Sequence, residues 1–384
     1  MAVTTWDGSS STDWNTAANW DTGAVPTSSD DVIIPDTSSI NNCELSATGG
    51  NPKNVHSLKL EANGTLIGND IVIRVYGEGD GSSGTTNGYA VDLDGIVSGD
   101  LHLTIQTDDT TNLDIIPSSG NVKNLTINLG DAARIAKIQT GGPTVTNTIT
   151  ITSGQLSTEN NSLTVGGHIF GNGTFVAKNS TVTVAGQCAP ANVELTGGSI
   201  TSNDDFRPTT KTTIDGNGSI TATGSSQMGG LFDIGASNTP TLQAGRLHST
   251  LDIPSGNQGQ STFNLAANED HTGPSRHLYF YNFTLDSEGT ENNTLTLAAS
   301  FTVTNNLTIT DGELKCNGAT VEVQGATVIG PNSGAADQAT ITCDASAMFL
   351  GINKTDGYAL RVAQGGTFTG GTGNHTIGSL EVVN

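Results

Sequence analysis

The chain has 384 residues, 13% of them charged, and its 37 Asp and Glu against 14 Lys and Arg leave a net charge of −23. So acidic a balance argues against nucleic-acid binding, which needs a basic patch to displace condensed counterions. No apolar run is long enough to span a bilayer, and the opening MAVTTWDG has neither a basic n-region nor an apolar h-region, so membrane insertion and a Sec signal are not expected.

Helical periodicity is almost absent. Val, Ile, Leu and Thr recur at strand spacing between 49 glycines and many Asn, residues that accept left-handed corner conformations. The expected fold class is all-β. Residues 1–53 hold all three tryptophans, Trp6, Trp14 and Trp20, in the run WDGSSSTDWNTAANWDTGAVPTSSDDVIIPD. Trp has the largest surface to bury and pins elements together, so this segment is read as a cap on a stacked structure. Residues 54–210 and 211–384 read as two blocks of short strands. The second continues or is truncated, because the closing GSLEVVN echoes HSLKLEA at His56.

From Tyr76 the first block carries a Gly/Asp-rich loop, YGEGDGSSGTTNGYAVDLDG. Its Glu78, Asp80, Asp92 and Asp94 offer the oxygen ligands that Ca²⁺ takes, and Ca²⁺ is the one cofactor considered. The spacing matches neither an EF-hand nor the GGxGxD nonapeptide, so an ordinary solvated loop competes with a metal site.

Further on, VTNTITITSGQLSTENNSLTVGG from Val145 aligns without a gap with VTNNLTITDGELKCNGATVEVQG from Val303, sharing about ten identities. The same register sets Asn124–Ile127 opposite Asn282–Leu285. A finer period separates NNSLTVGG at Asn160 from NSTVTVAG at Asn179 by about one turn of a β-solenoid. One turn cannot bury its own apolar face, but stacked turns share a core. Ile149, Ile151, Leu156, Leu163 and Val165 are the expected inward residues, with Gly154, Gly167 and Gly186 at corners and Asn and Thr in ladders between turns. Leu163 and Val182 then lie on adjacent turns of one face. Tandem β-sandwich domains are the alternative, and Asp311-Gly312 in LTITDGEL is the hairpin turn they would use.

The carboxylate groups that could serve a lyase or glycosidase are Asp204 and Asp205 with Arg207, Asp92 with Asp94, and Glu269, Asp270 and His271 with Arg276. Each lies in a Gly/Ser/Asn-rich stretch, and adjacent strand residues point to opposite faces. No motif is matched, so no catalytic residue is assigned and the chain is read as a non-enzyme. RHLYFYNFTL, from Arg276, places Tyr279, Phe280, Tyr281 and Phe283 within five residues. Strand alternation sets Phe280 against Tyr279, Tyr281 and Phe283. In the ungapped alignment Tyr279 and Tyr281 fall opposite Asn121 and Lys123, so the aromatic group is read as a surface for glycan or protein contact. A junction before the second block is the competing reading. Cys43, Cys188, Cys316 and Cys343 have no metal-ligand spacing and read as buried apolar residues, with Cys316 and Cys343 on neighbouring coils as the one pair a disulfide could join. The histidines, among them His56, His102 and His168, share no ligand spacing.

The opening pattern of Trp6, Gly8, Trp14, Asn19, Trp20, Val25, Pro26, Thr27, Asp30 and Asp31 resembles the start of β-helical segments in two groups of proteins. One is bacterial autotransporter-type surface adhesins, the other structural proteins of tailed phages, marine ones included. The SGQL, NNSLTV and NGTF phrases are similar to their solenoid repeats. The resemblance implies a right-handed parallel β-helix used for display or attachment. The expected function is that of a virion surface protein (a fibre, spike or capsid-decorating appendage) acting by binding and assembly. Its expected partners are other virion proteins, a host glycan or receptor, and further copies in a trimer. The alternatives are a segment of a bacterial extracellular adhesin or filament and, third, a β-helical polysaccharide lyase or hydrolase.

Overall fold

The computed structural model describes residues 2–79, 88–215, 218–228, 231–234, 241–252, 262–263, 277–285, 294–297, 300–303, 306–310, 312–316, 318–330, 339–345, 347–351 and 357–383. For 215, 223–228, 231–234, 241–252, 262–263, 277–285, 294–296 and 301 the backbone alone is described. The fold is all-β with a single 3-10 turn among the described residues, Ala17–Asn19. The chain forms two compact units, 1–191 and 192–384.

In the first unit, strand Ala2–Thr5 lies parallel to Asp30–Ile34, which pairs with Ser57–Leu60, and that with Tyr89–Leu93. The column continues through Thr111–Asp114, Ile135–Ile138, Gln155–Ser157 and the end of Ile169–Lys178. A second column runs from Lys53–Val55 through Ile71–Val75, Leu101–Ile105 and Val122–Asn128 to Ile149–Ser153. Successive rungs of each column are successive passes of the chain, an arrangement compatible with a β-solenoid. Leu163 and Val182 are direct register partners in parallel strands, as the short repeat predicts.

Alternation builds the core. Ile149, Ile151, Leu156, Leu163 and Val165 are all buried, each worth roughly 1.5–3 kcal/mol of removed apolar surface. The outward positions form ladders: Asn147 Nδ2 donates to Asn124 Oδ1 at 2.9 Å, and Asn179 Nδ2 to Asn160 Oδ1 at 3.1 Å. Gly154 turns a corner at φ +80°, where a Cβ would stand 2.8 Å from Leu129 Cβ.

The second unit repeats this plan in register. Val122 pairs with Val145, and Phe280 with Val303; Leu125 pairs with Ile149, and Phe283 with Leu307. Each pair moves by the same offset, 303 − 145 = 158 residues. The equivalence persists to Val145↔Val165 and Val303↔Val323. It then breaks: Leu163 pairs with Val182 but Val321 with Met348, eight residues beyond the equivalent position. Asp311-Gly312 makes no hairpin. Leu307–Ile309 pairs with Phe283–Leu285 and Thr327–Ile329, whereas Gly312–Lys315 pairs with Ala339–Thr342. Gly312, at φ +87°, turns a corner between columns. The only antiparallel contact among the described isolated bridges joins Trp6 and Trp20.

Candidate functional site

The N-terminal segment is organised around buried aromatic rings. Trp6, Trp14 and Trp20 are at most 2% exposed. Trp20 packs edge-on against both others, with centroids 5.1 Å from Trp6 and 4.8 Å from Trp14, the geometry that ring quadrupoles favour. The indole N–H of Trp20 donates to Trp14 O at 2.8 Å, and that of Trp6 to Asn41 O at 2.7 Å. Buried Asn19 shapes the loop between them: its Oδ1 accepts from Ser10 N and Ser11 N, and its Nδ2 donates to Asp13 O. Sequence reading identifies the tryptophans but not this amide hub.

A cleft of about 270 Å³ lies beside Trp14, Asn15, Val25, Pro26, Lys53 and Asn54. Lys53 is only 4% exposed, and its ammonium donates to Asn15 Oδ1, Thr48 O and Gly50 O. Burial pulls its pKa down and the Asp13 charge pulls it partly back. With all three protons used, Lys53 ties down the 48–50 corner and offers no free cation to a ligand. Burial pushes Asp13 up, but hydrogen bonds from Asn15 and Ser46, with Lys53 nearby, leave its carboxyl below the usual range.

Fully buried Asp31 accepts from Ser57 Oγ at 2.6 Å and meets His56 Nδ1 at 2.8 Å, both at the same oxygen, Oδ1. The residue types match a hydrolase triad, but the order does not. A triad needs His between carboxylate and hydroxyl; here Ser57 donates to the carboxylate directly and is itself buried. The group clamps the rung Asp30–Ile34 onto Ser57–Leu60, where Asp31 and Ser57 are register partners.

Three carboxylates converge on the outer face of the first unit. Asp92 and Asp114 are register partners on adjacent rungs, and with Asp94 they bring one oxygen each within 4.8 Å of the others. Burial, then the charges of Asp94 and Asp114, push Asp92 up to about 6, against the opposing pull of Lys59. Three hard oxygens on one face can take a divalent cation, with water completing the six to eight ligands that Ca²⁺ needs. Asp114 is not legible as a member from sequence, because it lies a full rung beyond Asp92. Of the other residues read as Ca²⁺ ligands, Glu78 accepts from Asn112 N at 3.0 Å and is not among the three, while Asp80 lies outside the described residues.

The remaining candidates separate. Asp205, 7% exposed, is paired with Arg207 at 2.5 Å, so this carboxylate is neutralised by its own neighbour rather than facing Asp204 across a groove. Glu269, Asp270, His271 and Arg276 lie outside the described residues. Tyr279, Tyr281 and Phe283 sit in strand His277–Leu285, of which the backbone alone is described. Its register makes Tyr279 and Tyr281 the counterparts of Asn121 and Lys123, both solvent-accessible in the first unit. Phe283 takes the place of buried Leu125.

Residues 5–75 match the family model of a domain of unknown function, DUF8693. The match covers the tryptophan loop, the Asp31 clamp and the first rungs. No characterised protein and no solved structure matches the chain.

Proposed function

We propose that this chain is a structural attachment protein displayed on a virion surface, as a fibre, spike or capsid-decorating appendage of a tailed phage, and that it works by binding and assembly rather than catalysis. In this reading the parallel rungs wind as a right-handed β-solenoid. The tryptophan loop closes its N-terminal end, where an open stack would expose strand edges to aggregation. The observation that carries the proposal is the use of the polar residues. Outward Asn, Ser and His side chains are spent on rung-to-rung bonds such as Asn124 to His102 and Asn147 to Asn124, and the Ser–His–Asp group is a clamp. Such chemistry builds a stiff scaffold. A divalent cation on Asp92, Asp94 and Asp114 would serve rigidity in the same way.

The opening motif supports the phage reading alongside the adhesin one. Mass spectrometry and immunogold imaging of intact purified particles separate them, with the phage reading expecting the protein at stoichiometric level on the particle exterior. Absence from particles, together with recovery from the bacterial cell surface, overturns it in favour of the adhesin. Release of reducing ends or unsaturated sugars from host polysaccharide by the purified protein overturns the non-catalytic part.

A further inference from the structure

In the second unit the strand Gly312–Lys315 stacks on Ala339–Thr342, with Lys315 opposite Thr342. The next residue of each strand is a cysteine. Cys316 N donates to Thr342 O at 2.8 Å and Cys343 N to Thr369 O at 2.9 Å, so the two thiols occupy the same position on consecutive rungs. Both are buried, and their sulfurs lie 3.9 Å apart as free thiols. Consecutive rungs of a parallel sheet stand about 4.8 Å apart, inside the Cα separation of about 4.4–6.8 Å that a disulfide spans. Closing the sulfurs to about 2.05 Å asks each to move by about 1 Å, within reach of side-chain rotation.

The first unit shows that the fold does not need sulfur here. The ungapped repeat puts Thr158 at the place of Cys316, and Ser157 pairs with Val176 as Lys315 pairs with Thr342. Thr158 Oγ1 is hydrogen-bonded to Ser180 Oγ at 2.7 Å and accepts from Lys178 N; its rung neighbour is buried Ala177. A hydroxyl and a methyl fill that corner. Two stacked thiols are a feature of the second unit alone.

We propose that Cys316 and Cys343 form a redox modification site, closing to a cross-rung disulfide when the protein meets a disulfide oxidant of the glutathione class. The inference goes beyond the attachment reading and does not depend on it. Cys343 is the first nucleophile: the S–H of Cys316 hydrogen-bonds to it and holds it below the usual thiol range, while the same bond and burial push Cys316 up. Exposed Gly318, Asp344 and Ala345 flank the pair, so a small opening of the corner admits the oxidant. Cys343 as thiolate attacks one sulfur of oxidised glutathione, forming a mixed disulfide and releasing one glutathione thiolate. Cys316 then gives its proton to solvent and attacks the Cys343 sulfur, expelling the second glutathione. Two protein thiols are oxidised, and one glutathione disulfide is reduced to two thiols. Cys43 and Cys188 are also buried, and burial pushes Cys188 up to about 12; neither has a described thiol partner.

The test incubates the full chain with oxidised glutathione, then unfolds it in an alkylating agent and digests it with trypsin. Cys316 and Cys343 fall in one tryptic peptide, 316–354. The expected result is loss of two hydrogens from that peptide with no alkylation on it, Cys43 and Cys188 alkylated as before, and a melting temperature about 5–10 °C higher that reductant reverses. C316S and C343S should each abolish the change. Four alkylated cysteines, a persistent glutathione adduct or a bond between chains overturns the proposal, and the wild-type digest alone decides it if either variant fails to fold.

Discussion

Asp92 sits where the fold makes ionisation unfavourable. It is partly buried and its register partner is another carboxylate, Asp114. Its folded pKa of about 6 lies above the ordinary 3.8, so the fold favours the protonated form. That stabilisation is complete below about pH 4 and is lost as the pH rises through about 6. D92N, which cannot ionise, should flatten the slope of melting temperature between pH 4 and pH 6.5, and D114N should lower the Asp92 midpoint seen by carboxyl NMR. A wild-type midpoint at the ordinary aspartate value would show that neither burial nor repulsion acts there. Trp14 gives the opposite case, a residue whose importance the sequence announces. Its ring is buried against Trp20 and its carbonyl accepts the Trp20 indole N–H, so W14A should cost about 3–5 kcal/mol in chemical denaturation. An unchanged midpoint would remove the ring from the folded core. The difference in legibility is physical: three clustered tryptophans announce burial by composition alone, whereas Asp114 joins its partners only through the length of a rung.

Rung length is what the sequence conceals at the level of elements. Leu156 pairs with Phe175, 19 residues on, whereas Leu58 pairs with Val91, 33 residues on. The short period is legible near Asn160 because corners there are tight. Around the Gly/Asp-rich loop the extra residues leave the column as excursions, and no fixed period survives. The long repeat is legible because it preserves inward positions pair by pair, from Val122↔Val145 to Phe280↔Val303. The Asp311-Gly312 hairpin reading fails because a solenoid corner and a hairpin use the same Gly chemistry; pairing partners alone distinguish them. Strict alternation also fails at Val122–Leu125, where Lys123 and Asn124 are both partly exposed between two buried residues. Corners should therefore be the intolerant points of each rung. Gly154 holds φ +80° against Leu129, so G154A should cost at least about 1–2 kcal/mol, the penalty for a left-handed residue bearing a Cβ. Gly23 is the control: at φ +66°, nothing lies within 4 Å of where an added methyl would sit, so G23A should cost the backbone term alone. Equal losses in thermal unfolding would mean that contact with Leu129 adds nothing.

At the scale of the molecule, the net charge of −23 keeps stacked strands apart and soluble, and leaves recognition to local surface chemistry. The register within each unit locates where that chemistry differs. Asn121 and Lys123 occupy solvent-accessible positions in the first unit, and the second has Tyr279 and Tyr281 at the equivalent points of the equivalent rung. Tyrosine supplies contact area at low entropic cost and is enriched among the residues that dominate interfaces. Replacing Tyr279 with Asn and Tyr281 with Lys therefore grafts in residues that this rung already tolerates in the first unit. The double variant should keep the wild-type circular dichroism spectrum and melting temperature within about 2 °C, because substitutions at exposed positions stay within roughly 0.5 kcal/mol. Its adsorption to host cells or its incorporation into particles should fall by about tenfold or more, the loss expected when interface anchors are removed. Normal adsorption and assembly by a folded double variant would take the tyrosines out of the binding surface. A variant that unfolds would place them in the core and contradict the equivalence with Asn121 and Lys123.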